Sequence, residues 1–299
     1  MNHTTDRLLV TGAGGQLGRA TVDSLLRRGA KHVVATSRDP AKLAHLRSRG
    51  VEVRAADFDR PETLRSAFAG VDRLVLISTD ALETPGQRLA QHRAAVAAAV
   101  ESGVRHVVYT SAPSPHPTTQ GSLIDDHFWT EAALFAAPFT WTILRNHLYM
   151  ELILQGAEHA TRSGQLFSAT GGRGRAYVAR EDCARSIAGA LLGAEGSEVL
   201  DVTGPAAVTQ DELAALLSEV TGKAIAHVEV PPQGLAEGLS HAGLPPHMVK
   251  VVVDFDVEAA QGYHALVTPT VERLAGTRPV TLREFLSQHL GANRNQGGN

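Results

Sequence analysis

Apolar runs and amphipathic runs alternate along the first half of the chain. The apolar runs predict strands at residues 8–10, 32–37, 51–55, 72–78, 104–111 and 139–145. Between them, apolar residues at helical spacing predict helices at residues 17–26, from residue 40 onward, and at 61–68, 85–102 and 122–136. Strands and helices that alternate in this way form a parallel sheet with right-handed crossovers. The pattern therefore predicts an α/β fold with a doubly wound parallel sheet.

The regular alternation of strands and helices ends after Asn146. Helices are predicted at 148–160, 181–192, 209–220 and 282–290, and strands at 165–169, 175–179 and 198–202. The helix that begins near Thr209 carries a capping box with Glu212 and ends at Gly222. We predict a dinucleotide-binding core over residues 1–147, to which the strand near 198–202 returns. A smaller, mostly helical substrate region covers residues 148–290, and residues 291–299 form a flexible tail.

Composition excludes several classes of protein. The chain has 299 residues, of which 43% are hydrophobic, and a net charge of −3, which argues against nucleic-acid binding through a general basic surface. Its one cysteine, Cys183, cannot form an internal disulfide, which fits a reducing cytoplasm. The polar N-terminus lacks an apolar signal region, and no apolar run is long enough to span a membrane. We expect a cytoplasmic protein without nucleic-acid or membrane partners.

The segment from Leu8 to Gly18 contains a glycine-rich turn between the first strand and the first helix. Gly12 suits the sharp turn, Gly15 allows a pyrophosphate to approach the backbone, and Gly18 allows close packing of helix on strand. The helix N-terminus offers N–H groups to phosphates. This arrangement is typical of a Rossmann-type dinucleotide site, although it also occurs in an ordinary glycine-rich turn.

Arg38 follows the second strand, where an acidic residue would favour NAD by binding the ribose 2′-hydroxyl. An arginine here can bind a 2′-phosphate through charge-assisted hydrogen bonds, and Lys42 can add a second positive charge. The residues therefore predict NADP(H) as the cofactor. The alternative is that both are solvated surface cations.

Other polar residues follow later strands. Asp57 can accept a hydrogen bond from the adenine amino group and Phe58 can pack on the ring, or the two can be a loop acid and a core aromatic. Ser78 and Thr79 end the fourth strand and would face the cofactor, because ligands bind at the carboxyl ends of such strands. The chain has fourteen histidines but no metal-binding spacing, so we predict no metal site.

Several segments together resemble the NmrA-like branch of the atypical short-chain dehydrogenases, and within it the NADPH-dependent quinone reductases and triphenylmethane-dye reductases. These segments are 10–18, 37–42, 74–78, 108–111, 142–149 and 217–223. The resemblance implies that Gln16, Leu17 and Ser78 contact the cofactor together with the glycines, and that Asn146 lies beside the nicotinamide. The full predicted cofactor set is Thr11, Gly12, Gly14, Gly15, Gln16, Leu17, Gly18, Arg38, Lys42, Asp57, Phe58, Ser78, Thr79 and Asn146.

Ordinary short-chain dehydrogenases carry a catalytic Tyr/Lys pair one helical turn apart after the fifth strand. The corresponding positions hold His127 and Glu131, and Tyr109 lies on a strand outside the motif. His127 is therefore our candidate catalytic residue. It can donate a proton, position the cofactor or line the pocket.

The predicted function is that of an NADPH-dependent oxidoreductase that transfers hydride to a conjugated acceptor such as a quinone. Alternatives are a carbonyl or enone reductase of a biosynthetic pathway and a non-catalytic NADP(H)-binding redox sensor. We expect Ser111 and Tyr149 to bind a small planar or carbonyl substrate. The protein is expected to be a monomer or a homodimer.

Overall fold

The computed structural model describes residues 5–291. The strands are β1 (Leu8–Val10), β2 (Val33–Ser37), β3 (Glu52–Ala55), β4 (Arg73–Leu76), β5 (His106–Ser111), β6 (Thr140–Asn146), β7 (Gln165–Ser168), β8 (Glu198–Val202) and β9 (Ala226–Glu229). The α-helices are α1 (Gln16–Arg27), α2 (Ala44–Arg47), α3 (Glu62–Phe68), α4 (Gln87–Glu101), α5 (Leu123–Phe135), α6 (Met150–Ser163), α7 (Arg180–Gly193), α8 (Gln210–Thr221), α9 (Pro232–His241), α10 (Pro246–Ala260), α11 (Thr270–Ala275) and α12 (Leu282–Leu290).

The main sheet has seven parallel strands in the order β3-β2-β1-β4-β5-β6-β8. This confirms the predicted doubly wound α/β fold. The chain builds outward from β1 to β3 and then returns to place β4 on the other side of β1. Strand order therefore reverses between β1 and β4, and such a switch point is where open α/β sheets bind ligands, at the carboxyl ends of the strands.

The chain divides into two compact units. Unit 1 comprises the described residues up to Asn146 together with Glu181–Val202 and Thr270–Thr277. It contains the seven-stranded sheet, whose strands β1 and β4 are buried throughout, as their continuous apolar runs predict. Most of α7, and all of β8 and α11, thus lie with the sheet, whereas the predicted division assigned α7 and α11 to the region over 148–290.

Unit 2 comprises His147–Arg180, Thr203–Pro269 and the described residues from Arg278. It is mostly helical, as predicted, with a core formed by α6, α8 and α12. Its two-stranded sheet pairs β7 with β9 in parallel. Of the predicted tail, all but Gly291 lies outside the described residues.

The structure differs from the local predictions at three points. The predicted strand at 175–179 is absent, because its backbone forms only isolated bridges from Arg175 to Val208 and from Val178 to Tyr149. Strand β9, which pairs with β7, was not predicted, because this half-polar segment has few apolar residues. The helix at Pro40 begins as a 3₁₀ turn over Pro40–Leu43, with Asp39 accepting a hydrogen bond from the Ala41 N–H, before α2.

None of the helices within residues 5–291 is long and apolar enough to cross a membrane.

Candidate functional site: a dinucleotide cradle at the sheet switch point

The glycine-rich turn has the backbone geometry that a dinucleotide site requires. Gly12 has a φ of 58°, in the left-handed region that favours glycine. A Cβ at Gly18 would lie 2.3 Å from the Gly12 carbonyl oxygen, so only glycine permits this approach of α1 to the turn. A Cβ at Gly15 would lie 3.3 Å from the same oxygen. We call the turn from Gly12 to Gly18 the glycine cradle, because side chains at these glycines would occupy the space close to its backbone.

The N-terminus of α1 has no side-chain cap. Gly15 is the N-cap residue, and it has no side chain that could accept a hydrogen bond from the first turn. Gly14, Gly15 and Gln16 are exposed, whereas Leu17 is buried against the core. The first N–H groups of a helix lack intrahelical partners, and the helix dipole places partial positive charge there. These residues fit a pyrophosphate, and the donor chemistry of the turn is that of a nucleotide cradle.

Arg38 and Lys42 are both exposed beyond the end of β2. A Cβ at Gly14 would lie 3.5 Å from Ser37 Oγ, so the end of β2 lies next to the glycine-rich turn. Arg38 contributes to the lowered pKa of the Asp59 carboxyl, after the larger effects of hydrogen bonds from Gln87 and Gln91. The cations are thus placed beside the cradle and remain accessible to a phosphate.

Asp57 organises the turn before α3. Its Oδ2 accepts a hydrogen bond from Arg60 Nε at 2.9 Å, and its Oδ1 accepts one from the Asp59 N–H at 3.2 Å. Phe58 is half-buried and packs against the core of unit 1. These contacts also fit the alternative of a loop acid and a core aromatic, so adenine binding stays a prediction.

Hydroxyl groups connect the carboxyl ends of the central strands. Thr11 Oγ1 accepts a hydrogen bond from the Ile77 N–H at 2.9 Å, and Thr110 Oγ1 accepts one from the Ser78 N–H at 2.9 Å. The Thr79 N–H donates to His92 Nε2 at 3.0 Å. The segment after β4 is therefore fixed by side chains of neighbouring elements.

Glu131 is bound by residues of two strands. Its carboxylate accepts two hydrogen bonds from Arg145, at 3.1 Å from Nε and 2.7 Å from Nη2, and one from Ser111 Oγ at 2.6 Å. Glu131 is buried, as is Asn146 at the end of β6. Glu131, which we predict to stand at the lysine position of ordinary short-chain dehydrogenases, is thus the acid of an ion pair.

His127 is 3% exposed and contacts polar groups through both ring nitrogens. Arg88 Nη2 lies 2.9 Å from its Nε2, and the Tyr109 hydroxyl lies 2.8 Å from its Nδ1. Burial, and secondarily the Arg88 cation, hold the pKa of His127 well below its ordinary value. The imidazole is therefore neutral near pH 7. Its role in catalysis stays a prediction.

Arg88 and His92 escaped the sequence analysis. Both are buried, and they lie one turn apart on α4. The available signal was an Arg-x-x-x-His spacing in an alanine-rich helix, where polar residues on a packed face need partners. Without knowledge of which face packs on the sheet, this spacing resembles a solvated surface.

Tyr149 belongs to unit 2, where it precedes α6 as its N-cap residue. The Arg180 guanidinium lies 5.0 Å from the centre of its ring. Substrate binding by Ser111 and Tyr149 stays a prediction. Within residues 5–291, no cluster of three or more His, Cys, Asp or Glu side chains could hold a metal ion.

Comparisons with known proteins agree with this geometry. A family model described as NAD(P)H-binding matches residues 12–193. The chain is 34% identical to quinone oxidoreductase 2 of Escherichia coli strain K12, over 96% of this chain and 99% of the relative.

Two solved structures extend the likeness to three dimensions. The E. coli NADPH-dependent quinone oxidoreductase complexed with NADPH matches with a TM-score of 0.88 and 34% identity, over 94% of this chain and 99% of that one. The Citrobacter sp. triphenylmethane reductase complexed with NADP(H) matches with a TM-score of 0.84 and 30% identity, over 94% and 99% of the two chains.

Proposed function

Since the chain belongs to the NAD(P)H-binding family, we propose that it is an NADPH-dependent oxidoreductase that transfers hydride to a conjugated acceptor such as a quinone. The observation that carries the proposal is the glycine cradle at the sheet switch point, in a chain that is 34% identical to a quinone oxidoreductase along almost its whole length. The resemblance to quinone and dye reductases inferred from the sequence is confirmed by these comparisons.

The cradle would hold the pyrophosphate of the cofactor, and the cations beside it would hold the 2′-phosphate of its adenosine ribose. The backbone N–H groups of the first turn of α1, after Gly15, are suited to the pyrophosphate, whereas the Gly15 N–H donates to the Gly12 carbonyl oxygen. Arg38 and Lys42 are suited to a 2′-phosphate, because both are exposed and Arg38 follows β2 directly, with no acid before it. NADPH is accordingly proposed as the preferred cofactor, and its dihydronicotinamide supplies the hydride when bound.

The side chains at the Tyr/Lys positions favour an acceptor that needs no strong acid. Glu131 is bound to Arg145 and Ser111, and neutral His127 lies between Arg88 and Tyr109. A quinone is already electrophilic, so its reduction depends mainly on proximity and orientation. A simple carbonyl gains more from a proton donor, typically about 10²–10⁴-fold in rate. We therefore place carbonyl or enone reduction second.

The proposal is tested by following the oxidation of NADPH with a panel of quinones, triphenylmethane dyes and conjugated ketones. We expect quinone-dependent oxidation that is lost in Gly15→Trp, whose indole would occupy the cradle. The matched control is Gly193→Trp, because Gly193 lies in the same unit and a Cβ there meets open space.

The sensor alternative makes a different prediction for the same assay. A sensor needs differential binding of reduced and oxidised cofactor, coupled to a second state, and no acceptor chemistry. Tight NADPH binding without oxidation by any member of the panel would overturn the proposed activity.

A further inference from the structure

We infer that Arg88 and His92 are positioning residues of the cofactor site, because together they bind both backbone polar groups of Thr79. Arg88 Nε donates to the Thr79 carbonyl oxygen at 2.8 Å, and the Thr79 N–H donates to His92 Nε2 at 3.0 Å. Thr79 lies just beyond β4 at the switch point. The inference rests on the proposed function and on the prediction from the sequence that Ser78 and Thr79 face the cofactor.

The proton positions in this network follow from its two obligate donors. A backbone N–H can only donate, so His92 Nε2 accepts and His92 Nδ1 carries the ring proton. That proton points to Thr130 Oγ1 at 3.0 Å, and Thr130 Oγ1 in turn donates to the Asp126 carbonyl oxygen at 2.6 Å. In the chain of hydrogen bonds from Thr79 to α5, each group therefore donates to the next, and the chain ends at the Asp126 carbonyl oxygen.

The second path starts from Arg88. A guanidinium can only donate, so His127 Nε2 accepts from it and His127 Nδ1 donates to the Tyr109 hydroxyl oxygen. His92 and His127 are both neutral, and Arg88 contributes to the lowered pKa of each, after burial. One tautomer of each ring satisfies all the contacts, so the network holds Thr79 in a single arrangement.

Stability alone does not account for Arg88. The side chain is almost fully buried, its Nη1 has no hydrogen-bond partner within the described residues, and its nearest acid, Asp126, is 4.0 Å away. Desolvating a guanidinium is costly, and apolar replacements of buried charges are often neutral or stabilising. Positioning of the Thr79 backbone supplies a reason for a buried cation at this point.

The first test compares two buried arginines of unit 1. Arg73 is also buried, and its Nη2 donates to the carbonyl oxygens of Ala190 and Ala194. We expect Arg88→Met to weaken NADPH binding about tenfold, as measured by fluorescence titration. Arg73→Met should leave NADPH affinity unchanged, whatever either substitution does to the melting temperature.

The second test restores the acceptor at His92. In His92→Gln the amide oxygen can accept from the Thr79 N–H, whereas His92→Leu leaves that N–H unpaired. We expect NADPH affinity close to wild type for His92→Gln and about tenfold weaker for His92→Leu. This pair carries the test if Arg88→Met does not fold.

A merely structural role would lower the melting temperatures of these variants while leaving NADPH affinity at the wild-type value, and that result would overturn the inference. Failure of the proposed function is distinguishable, because the wild-type protein itself would then fail to bind NADPH or to oxidise it with any acceptor.

Discussion

At the scale of single residues, Gly18 shows how closely the backbones of the glycine-rich turn and α1 approach each other. Its missing Cβ would meet three backbone atoms within 2.8 Å, and backbone cannot rotate away as a side chain can. Arg38 is exposed, so we expect its side chain to contribute to ligand binding and not to the packing of the protein. Substitutions at these two positions therefore separate folding from cofactor recognition.

We expect Gly18→Ala to lower the free energy of unfolding by about 1–3 kcal/mol, because the turn must shift to admit the methyl group. Denaturant unfolding measures this change. The control is Gly156→Ala on α6, where a Cβ meets open space and alanine should stabilise the helix by about 0.5–1 kcal/mol. Equal effects at the two positions would contradict the assigned packing.

Arg38→Ala should weaken NADPH binding about 10–100-fold, because a charge-assisted set of hydrogen bonds is lost, while NADH binding barely changes. Titration of both cofactors into the wild type and the variant tests this. Arg47→Ala, an exposed cation on α2, is the control and should alter neither affinity. Equal losses for NADPH and NADH would refute the 2′-phosphate assignment.

At the scale of elements, local side-chain contacts determine where helices begin. Thr209 accepts a hydrogen bond from the Glu212 N–H, and Glu212 accepts one from the Thr209 N–H, so the predicted capping box of α8 is present. The same device opens α12 at Thr281 and Glu284. Each box satisfies N–H groups that the helix itself cannot.

Thr209→Ala should therefore lower the free energy of unfolding by about 1 kcal/mol. Thr209→Ser retains the hydroxyl and should stay close to wild type. Denaturant unfolding of the three proteins under one condition provides the measurement, and a serine variant as unstable as the alanine variant would argue against the cap.

Side chains also connect the two strands of the smaller sheet. Ser168 Oγ lies 2.8 Å from His227 Nε2, and His227 Nδ1 lies 3.0 Å from Asp211 Oδ1. The order of contacts is that of a Ser-His-Asp triad, but Ser168 is 3% exposed and the Glu229 carboxylate lies 3.4 Å from its hydroxyl. A carboxylate there would repel an oxyanion. The contacts join β7, β9 and α8.

At the scale of the whole molecule, buried neutral histidines make stability depend on pH. His92 and His127 lie in unit 1 and His264 in unit 2, and burial is the main cause that lowers the pKa of all three. The pKa of His264 falls to about 3, and neither of its ring nitrogens has a hydrogen-bond partner within the described residues. Each imidazole takes up a proton more readily in the unfolded chain than in the folded protein.

We expect the free energy of unfolding to fall as the pH decreases below about 6.5, the ordinary histidine pKa. The unfolded chain then binds protons that the folded protein does not, so each such histidine contributes a slope of up to about 1.4 kcal/mol per pH unit. For His264 the loss ends near pH 3. His264→Phe should make the profile shallower between these limits, as measured by denaturant unfolding across the range, and an unchanged slope would contradict the assignment.

The sequence by itself determined the elements whose signals are local. Three such elements are the strand at Leu8–Val10, the strand at Glu198–Val202 and the capped helix α8. They could be located because a few neighbouring residues are enough to show an apolar pattern or a helix cap. The glycine spacing identified the cradle for the same reason. The predicted strand at 175–179 failed because apolar residues alone do not supply a hydrogen-bonding partner.

Only the tertiary structure decided which distant segments meet. It paired β8 with β6 and β9 with β7, bound Glu131 to Arg145, and brought Arg88 and His92 to the backbone of Thr79. Such contacts depend on which face of each element is buried, and the cost of leaving a buried polar group unpaired then selects the partner. That selection takes place between residues far apart in the chain, where a local pattern carries no information.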